Sequence, residues 1–420
     1  MWDATAESNA MTAFFLKNNC MKHLTTEPSP FLSAIRVNIV DAYNWIESEK
    51  KMRGSDFYKL KMSKIRSEGD IPLPDSLPSG KYMWDGVFVH IKSKSVFKST
   101  YTVDVFGKQI IIHFVFEKKG LSKKWKEPNI QTINAYVDNM IMWFHVASKY
   151  TVQPCAQNLT IFIYLTSLEK RVPDLDEDVI SPVHVNTGVT TSCPVTGEII
   201  VYRHEEWFKV FIHETFHTLG LDFSSMNVAS SETAIRATFH IKTPILLYEA
   251  YTEFWARVMN VLIISFRLTD NEDAFDKYAT FLLDYERVNC FFQMTKILQH
   301  MNIEYADLHT NADVVYKEKS NVFVYYIVTM ILLNNYPLFI RWCGDNNSKL
   351  LQFNQTEEQQ ALFCTYITTH FNTSEIISGV HCAKRLLKKT ASHLEKEPSS
   401  KKIKTILETL RMSLCEICIP

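Results

Sequence analysis

The sequence predicts an α+β fold, and three observations carry that expectation. Stretches rich in β-branched and aromatic residues alternate apolar with polar between 82 and 117, and again between 159 and 203. Helical spacing of apolar residues takes over at 130–150, and from Pro244 onward nearly everything reads as helix. Segments bearing proline and glycine, such as IPLPDSLPSGK (71–81), punctuate the blocks as loops.

The bounds are ordinary. A chain of 420 residues holds two or three packed units. Apolar content of 46% and charged content of 22%, with frequent Phe and Tyr and scarce Gly, describe a core-rich globular protein. The net charge of −1 excludes a global electrostatic drive toward nucleic acid or anionic membrane. The first twenty residues lack the basic start and apolar stretch of a secretory signal. The longest apolar run, Asn321–Leu333, is shorter than the ~20 residues that span a bilayer, so it reads as a buried helix. Nine cysteines, odd in number and scattered, point to unpaired thiols in a reducing, intracellular compartment such as cytoplasm. The terminal CEIC (Cys415, Cys418) is half of a zinc-ribbon spacing without its second pair, and reads as ordinary cysteines.

Taken in order, residues 1–30 are polar and expected to be poorly ordered. Residues 31–66 look helical. YMWDGVFVHIKS (82–93), STYTVDVF (99–106) and KQIIIHFVFE (108–117) read as strands, the last two joined by a hairpin turn at FGK, which makes 31–125 an α+β unit. A second unit, 126–243, begins with a helix whose Ile133, Val137, Ile141, Phe144 and Ala147 share one face. It continues with a strand at LTIFIYLT (159–166) and a loop from Glu169 to Ser181. Two further strands, HVNTGVTTS (184–192) and GEIIVYR (197–203), meet at the CPVTG turn, and a helix follows. The last unit, 244–420, is helical: PILLYEAYTEFWARVMNVLIISF, then 272–301, 313–336, 356–371, 374–395 and 402–415. Its stretch 384–404 is basic and reads as a solvated helix face and linker, with a nuclear-import or nucleic-acid patch as the alternative.

The chemistry lies in EEWFKVFIHETFHTLGLDF. Glu205 and Glu206 are expected in the helix's first turn, where negative charge suits the helix dipole, and Gly220 follows the last turn as a left-handed cap. His213 and His217, at i and i+4, project from one face one turn apart, as two ligands of a single tetrahedral zinc would. Glu214 stands beside that position, where a carboxylate takes a proton from water.

A third ligand is open between two residues. A glycine turn of the metzincin kind would present position 223, which is Phe223, and Asp222 lies one residue early. The other candidate is in LLYEAYTEFWARVMN, where Glu249, Glu253 and Arg257 form one charged stripe on an otherwise apolar helix. A buried carboxylate is costly unless paired or bound to metal. Arg257 accounts for Glu253 and leaves Glu249 for the zinc, with Glu253 as acceptor for a histidine's other N–H.

On these residues the chain resembles zincin metallopeptidases of the gluzincin kind, in which a His-Glu-x-x-His helix is joined by a Glu from a later helix, often with a second acid four residues on. YEAYTEFW is similar to that later helix, and the gap of 31 residues between His217 and Glu249 is within the clan's range. The resemblance covers roughly 130–260. NTGVTTSC through HETFHTLGLDF also resembles uncharacterised proteins of large cytoplasmic DNA viruses. What the resemblance implies is a zincin-like catalytic core of small mixed sheet plus active-site helix. It implies one zinc per chain on His213, His217 and Glu249, with Glu253 behind, and hydrolysis of a polypeptide with Glu214 as general base. It further implies HVNTGVTTS as a substrate-binding edge strand with GEIIVYR inside it, and an oxyanion donor from the C-terminal region. Tyr325 and Tyr326 are candidates for that donor, with aromatic core packing as the ordinary alternative. Cys193 is either a cap on the zinc or a plain thiol. The rival function is a non-catalytic scaffold of the same fold that keeps a structural zinc.

Overall fold

The computed structural model describes residues 3–4, 6–18, 21–24, 30–75, 83–118, 128–151, 154–174, 179–269, 271–311 and 316–418. The α+β class stands: a mixed sheet is packed between helices and joined to a large helical side.

The chain opens with β1 (Asp3–Ala4) and α1 (Ala6–Asn18), so much of the segment expected to be poorly ordered is helical. The reason is packing: Met11 and Phe15 are buried, and Phe15 meets Phe292 edge-on at 5.4 Å. After α2 (Pro30–Arg53) come β2 (Lys59–Lys64), α3 (Gly86–Lys94), β3 (Ser95–Val105) and β4 (Lys108–Glu117). Where alternation in YMWDGVFVHIKS predicts a strand, the chain forms α3. Val87, Phe88 and Ile91 fit a helical face as well as a strand, and all three pack into one cluster. Phe106 (φ 54°) and Gly107 (φ 71°) make the expected two-residue turn between Val105 and Lys108.

Then follow α4 (Ile130–Ser148), β5 (Asn158–Leu165), the short α5 (Pro182–Val185), β6 (Gly188–Thr190), β7 (Thr196–Val201) and α6 (Trp207–Thr218). HVNTGVTTS is thus a helical turn plus a three-residue strand. The sheet order is β2-β3-β4-β5-β7-β6. Strands β4, β5 and β7 run parallel to one another, while β6 lies antiparallel on β7 at the edge, as chain order implied.

This sheet overturns the proposed boundary between 31–125 and 126–243. The cut point itself lies outside the described residues, but β4 pairs with β5 along eight residues, so both units share one sheet. On β5, Leu159, Ile161 and Ile163 face the main core, and Phe162 and Tyr164 face the cluster under α3.

The helical side holds α7 (Ala229–Arg236), α8 (Leu247–Leu268), α9 (Glu272–His300) and α10 (Asp307–Thr310). Beyond them a π-helical turn (Phe323–Val328) runs into α11 (Thr329–Asn334), and α12 (Tyr336–Asn346), α13 (Glu357–His370), α14 (Ser374–Lys396) and α15 (Lys401–Glu408) follow. The helix expected over 313–336 therefore begins late; 312–315 lie outside the described residues. The one expected over 402–415 ends at Glu408. Residues 409–415 then run buried through the molecule and lead by Glu416 to β8 (Ile417–Cys418), which pairs with β1. Polar side chains catch this segment's backbone, as when Asn289 Nδ2 donates to Met412 O at 3.2 Å and Asn260 Nδ2 to Cys415 O at 2.8 Å.

Among the described residues no single helix is long and apolar enough to cross a membrane. The apolar run 321–333 is buried inside the helical side, as its sequence predicted.

Candidate metal centre

Helix α6 is enclosed on several sides. Trp143 of α4 stacks on Phe216 at 5.6 Å and donates from Nε1 to Thr215 Oγ1 at 2.5 Å. Its C-terminus closes as expected: Gly220 (φ 64°) donates to His217 O, and Leu221 N reaches back to Phe216 O, a paired closure that needs a left-handed residue. The N-terminus differs from expectation. Glu206 is not in the first turn but precedes it in left-handed backbone (φ 58°). Its buried carboxylate is ion-paired to Lys170 at 2.9 Å and accepts from Ser413 N at 2.7 Å, which compensates the unusual conformation.

One turn apart, the two imidazoles face α8. His213 Nε2 is 3.2 Å from His217 Nε2 and 3.1 Å from Glu249 Oε2, and His217 Nε2 is 3.5 Å from the same oxygen. Both outer nitrogens are tied off. His213 Nδ1 donates to Glu253 Oε2 at 3.1 Å, and His217 Nδ1 donates to Asp222 Oδ2. Ionised carboxylates only accept, so both Nδ1 atoms carry protons, and in the neutral rings both Nε2 lone pairs aim at one point beside a carboxylate oxygen.

That arrangement fits a cation. Four ligands on ~2.0–2.1 Å bonds in a tetrahedron stand ~3.3–3.4 Å apart, and the three donor separations are 3.1, 3.2 and 3.5 Å. The acids around the two rings favour positive charge at this point. Burial, which disfavours charge on His217, is outweighed by Asp222 and Glu249, and its pKa rises well above the usual range. Glu249, whose burial alone would raise it, is driven low by His217 and by hydrogen bonds from both imidazoles. A divalent cation at the same point would supply that positive charge.

Glu214 points elsewhere, toward the edge strand. A Cβ built on Gly188 of β6 would lie 2.6 Å from Glu214 Oε1, so any larger residue there would force the carboxylate or its surroundings to shift. Burial pushes the carboxyl up to about 7, against the opposing charge of His213 and His217. Tyr325, on the π turn, donates to Glu249 Oε2 at 3.0 Å, and its ring lies 6.0 Å from that of His213. The π turn gives the next residue a different heading. Tyr326 donates to Leu410 O at 2.6 Å, in a separate apolar cluster, so it is withdrawn as an oxyanion candidate.

Of the expected residues, His213, His217, Glu249, Glu253, Glu214 and Tyr325 come together, with Glu249 rather than Asp222 on the Nε2 side. Sequence patterning underrated Asp222, which is more than a turn residue. Asking which acid holds His217 Nδ1 would have found it. It also passed over Lys209, whose Nζ donates to both oxygens of Glu253 at 2.9 Å. The signal was a lysine one turn before His213.

The cysteine expectation fails. Cys193 is bonded to Cys155, 38 residues away, and Cys382 is disulfide-bonded as well. Cys193 is therefore neither a zinc cap nor a free thiol. Pairing was not legible because the β5 start and the loop after β6 become neighbours only through β7. Disulfides persist in oxidising surroundings, so the basis for a reducing compartment is gone. Cys290, Cys343, Cys364 and Cys415 are buried free thiols, and the side chain of Cys418 lies outside the described residues.

No protein-family model matches the chain, and neither a curated protein nor a solved structure shows a significant match to it.

Proposed function

We propose that the chain is a zinc-dependent peptidase that hydrolyses a polypeptide, holding one zinc ion on His213, His217 and Glu249. The observation that carries this reading is the set of three donor separations, 3.1, 3.2 and 3.5 Å, with both Nδ1 atoms already committed to carboxylates. When bound, zinc supplies Lewis-acid activation of water and of the scissile carbonyl.

The chain's own residues supply the rest. Glu253 and Asp222 hold the imidazoles in the tautomer that leaves Nε2 free. Glu214, buried and with a pKa near 7, is suited to take a proton from water and deliver it to the leaving amine. Tyr325 Oη already donates toward the donor cluster, in reach of an oxygen that gains negative charge there. Tyr202 N donates to Thr187 O, so by antiparallel alternation Gly188 and Thr190 turn their backbone groups outward. An extended peptide added along β6 would pass beside Glu214.

A scaffold that keeps the metal for stability is the second reading. It is favoured by the buried ion pairs that anchor the site to α8 and by the hydrogen bonds that tie Glu206 to Ser413 and Glu416, but it has no use for Glu214 or for the space Gly188 leaves it. Metal analysis tests the first claim: about one zinc per chain, and none after joint His213→Ala and His217→Ala replacement. Glu249→Ala should lower zinc content far more than Asp222→Ala, and the reverse result moves the third ligand to Asp222. Cleavage of a peptide library, abolished by a chelator and restored by zinc, tests the activity.

A further inference from the structure

We propose that Lys209 is a positioning residue for the metal site, acting on His213 through Glu253; this rests on reading the three-donor cluster as a metal centre.

Lys209 is one turn before His213 on α6, so both side chains leave the same face. Its side chain is 2% exposed, and Glu253 and Arg257 are 1% exposed. Glu253 is a hub. Lys209 Nζ meets both of its oxygens at 2.9 Å, Arg257 Nε donates to Oε1 at 2.8 Å, and His213 Nδ1 donates to Oε2 at 3.1 Å.

The two cations do different things. Arg257 is on α8, as Glu253 is, so it draws the carboxylate along its own helix. Lys209 belongs to α6 and draws the carboxylate across the gap, toward the histidine on its own helix. With Lys209 in place, Oε2 has a fixed heading at His213 Nδ1. With Arg257 alone, Glu253 keeps its charge and loses the contact that fixes its direction. Lys209 is therefore redundant for neutralising Glu253 but not for aiming it.

The same redundancy makes the residue testable. Besides Glu253, Lys209 approaches Glu206 at 3.8 Å, and Glu206 is paired more closely to Lys170 at 2.9 Å. Removing the ammonium leaves each acid a cation, so Lys209→Met creates no uncompensated buried charge. Met412 Sδ, 4.0 Å from Nζ, is a neighbour that a thioether tolerates.

The experiment measures zinc affinity of the full chain by competition with a chelator, for wild type, Lys209→Met, Glu253→Gln and the double variant. Loss of an outer partner of a ligating histidine weakens metal binding ~10–100-fold. Glu253→Gln should fall in that range and Lys209→Met at its lower end, about tenfold. Because Lys209 acts through Glu253, the double variant should bind no more weakly than Glu253→Gln alone. Melting of the zinc-free proteins identifies folded variants, and Lys209→Gln replaces Lys209→Met if the latter does not fold. Unchanged affinity in the Lys209 variant overturns the proposal, and so do losses that multiply in the double variant. Wild type that takes up no zinc overturns the metal reading itself, and this proposal with it.

Discussion

Two buried carboxylates flank His213, Glu253 of α8 behind it and Glu214, the next residue on α6, in front, and their pKa values shift in opposite directions. Behind the histidine, burial of Glu253 is overcome by Lys209 and Arg257, and its pKa is held well below the usual range. In front, Glu214 is raised to about 7 by burial, and among the described residues no salt bridge reaches it. Burial is common to both, so the placement of cations decides which acid keeps its charge. The back of the site is built to hold charge still: Lys170, Glu206, Lys209, Glu253 and Arg257 alternate in sign, anchored to α8 and to Ser413. The front has a glycine, a three-residue edge strand and a buried acid that no salt bridge reaches among the described residues. The proposed peptidase needs that contrast, with the would-be ligands held on one side and a proton acceptor on the other.

The largest expected effect breaks the front and spares the back. Glu214→Gln should keep zinc content at the wild-type level and lower peptidase kcat/KM by ~10²–10⁴-fold, the usual worth of a general base. Equal cleavage by wild type and Glu214→Gln would remove the contrast and leave the scaffold. Zinc loss in Glu214→Gln would place that acid among the ligands instead.

How much of this was legible depends on where each signal resides. His213, Glu214 and His217 were legible because a helix places i and i+4 together whatever surrounds it. Glu249 was legible because a lone acid on an apolar helix lacks another account. Lys209 and Gly188 matter through contacts across elements, with Glu253 and Glu214, which position in the sequence does not show, whereas Asp222, five residues after His217, depends on how the chain turns after α6. The fold divides in the same way. Strands β3 and β4 and their hairpin were read locally, whereas the parallel β4–β5 pairing, which fuses two expected units, is a non-local choice. At 82–93 and 184–192 the segments were too short for periodicity to separate strand from helix.

The next effect is on the front's frame. Cys193 N donates to His217 O at 3.0 Å, and the disulfide to Cys155 ties this loop to the start of β5. Joint Cys155→Ser and Cys193→Ser replacement should cost about 2–4 kcal/mol of stability. Because the ligands depend on the back, zinc content of the folded protein should not change. A matching loss of zinc would mean that the frame holds the ligands too.

Gly188→Ala probes the gap before Glu214. The added Cβ would stand 2.6 Å from Glu214 Oε1 and 2.7 Å from Val210 Cγ1, so strand or carboxylate must shift. Overpacking of this kind costs about 1–3 kcal/mol. A general base displaced by ~1 Å loses up to ~10²-fold in rate. Unchanged kcat/KM in a folded Gly188→Ala protein would show that Glu214 does not work from this position.

The smallest effect tests the rule about cations away from the candidate metal centre. Glu318 accepts from Tyr316 Oη at 2.9 Å and Phe323 N at 2.7 Å on Oε2, and its Oε1 meets Thr243 Oγ1 at 3.2 Å. Its hydrogen-bond partners are neutral and among the described residues no salt bridge reaches it, so burial dominates and the carboxyl is raised from 4.5 to about 7. In the fold Glu318 keeps its proton up to about pH 7, whereas the unfolded chain releases it near 4.5. Its contribution to stability is therefore full below pH 4.5 and is lost as pH rises through about 7. Glu318→Gln mimics the protonated form: its amide donates to Thr243 Oγ1, and its oxygen accepts from Tyr316 and Phe323. Denaturant midpoints should be similar for wild type and Glu318→Gln at pH ~4.5, and the variant should be up to about 3 kcal/mol more stable at pH ~8. Parallel curves across that range would mean that hydrogen bonds from neutral donors suffice to hold a buried carboxylate charged. Glu214 would then need another reason to be protonated.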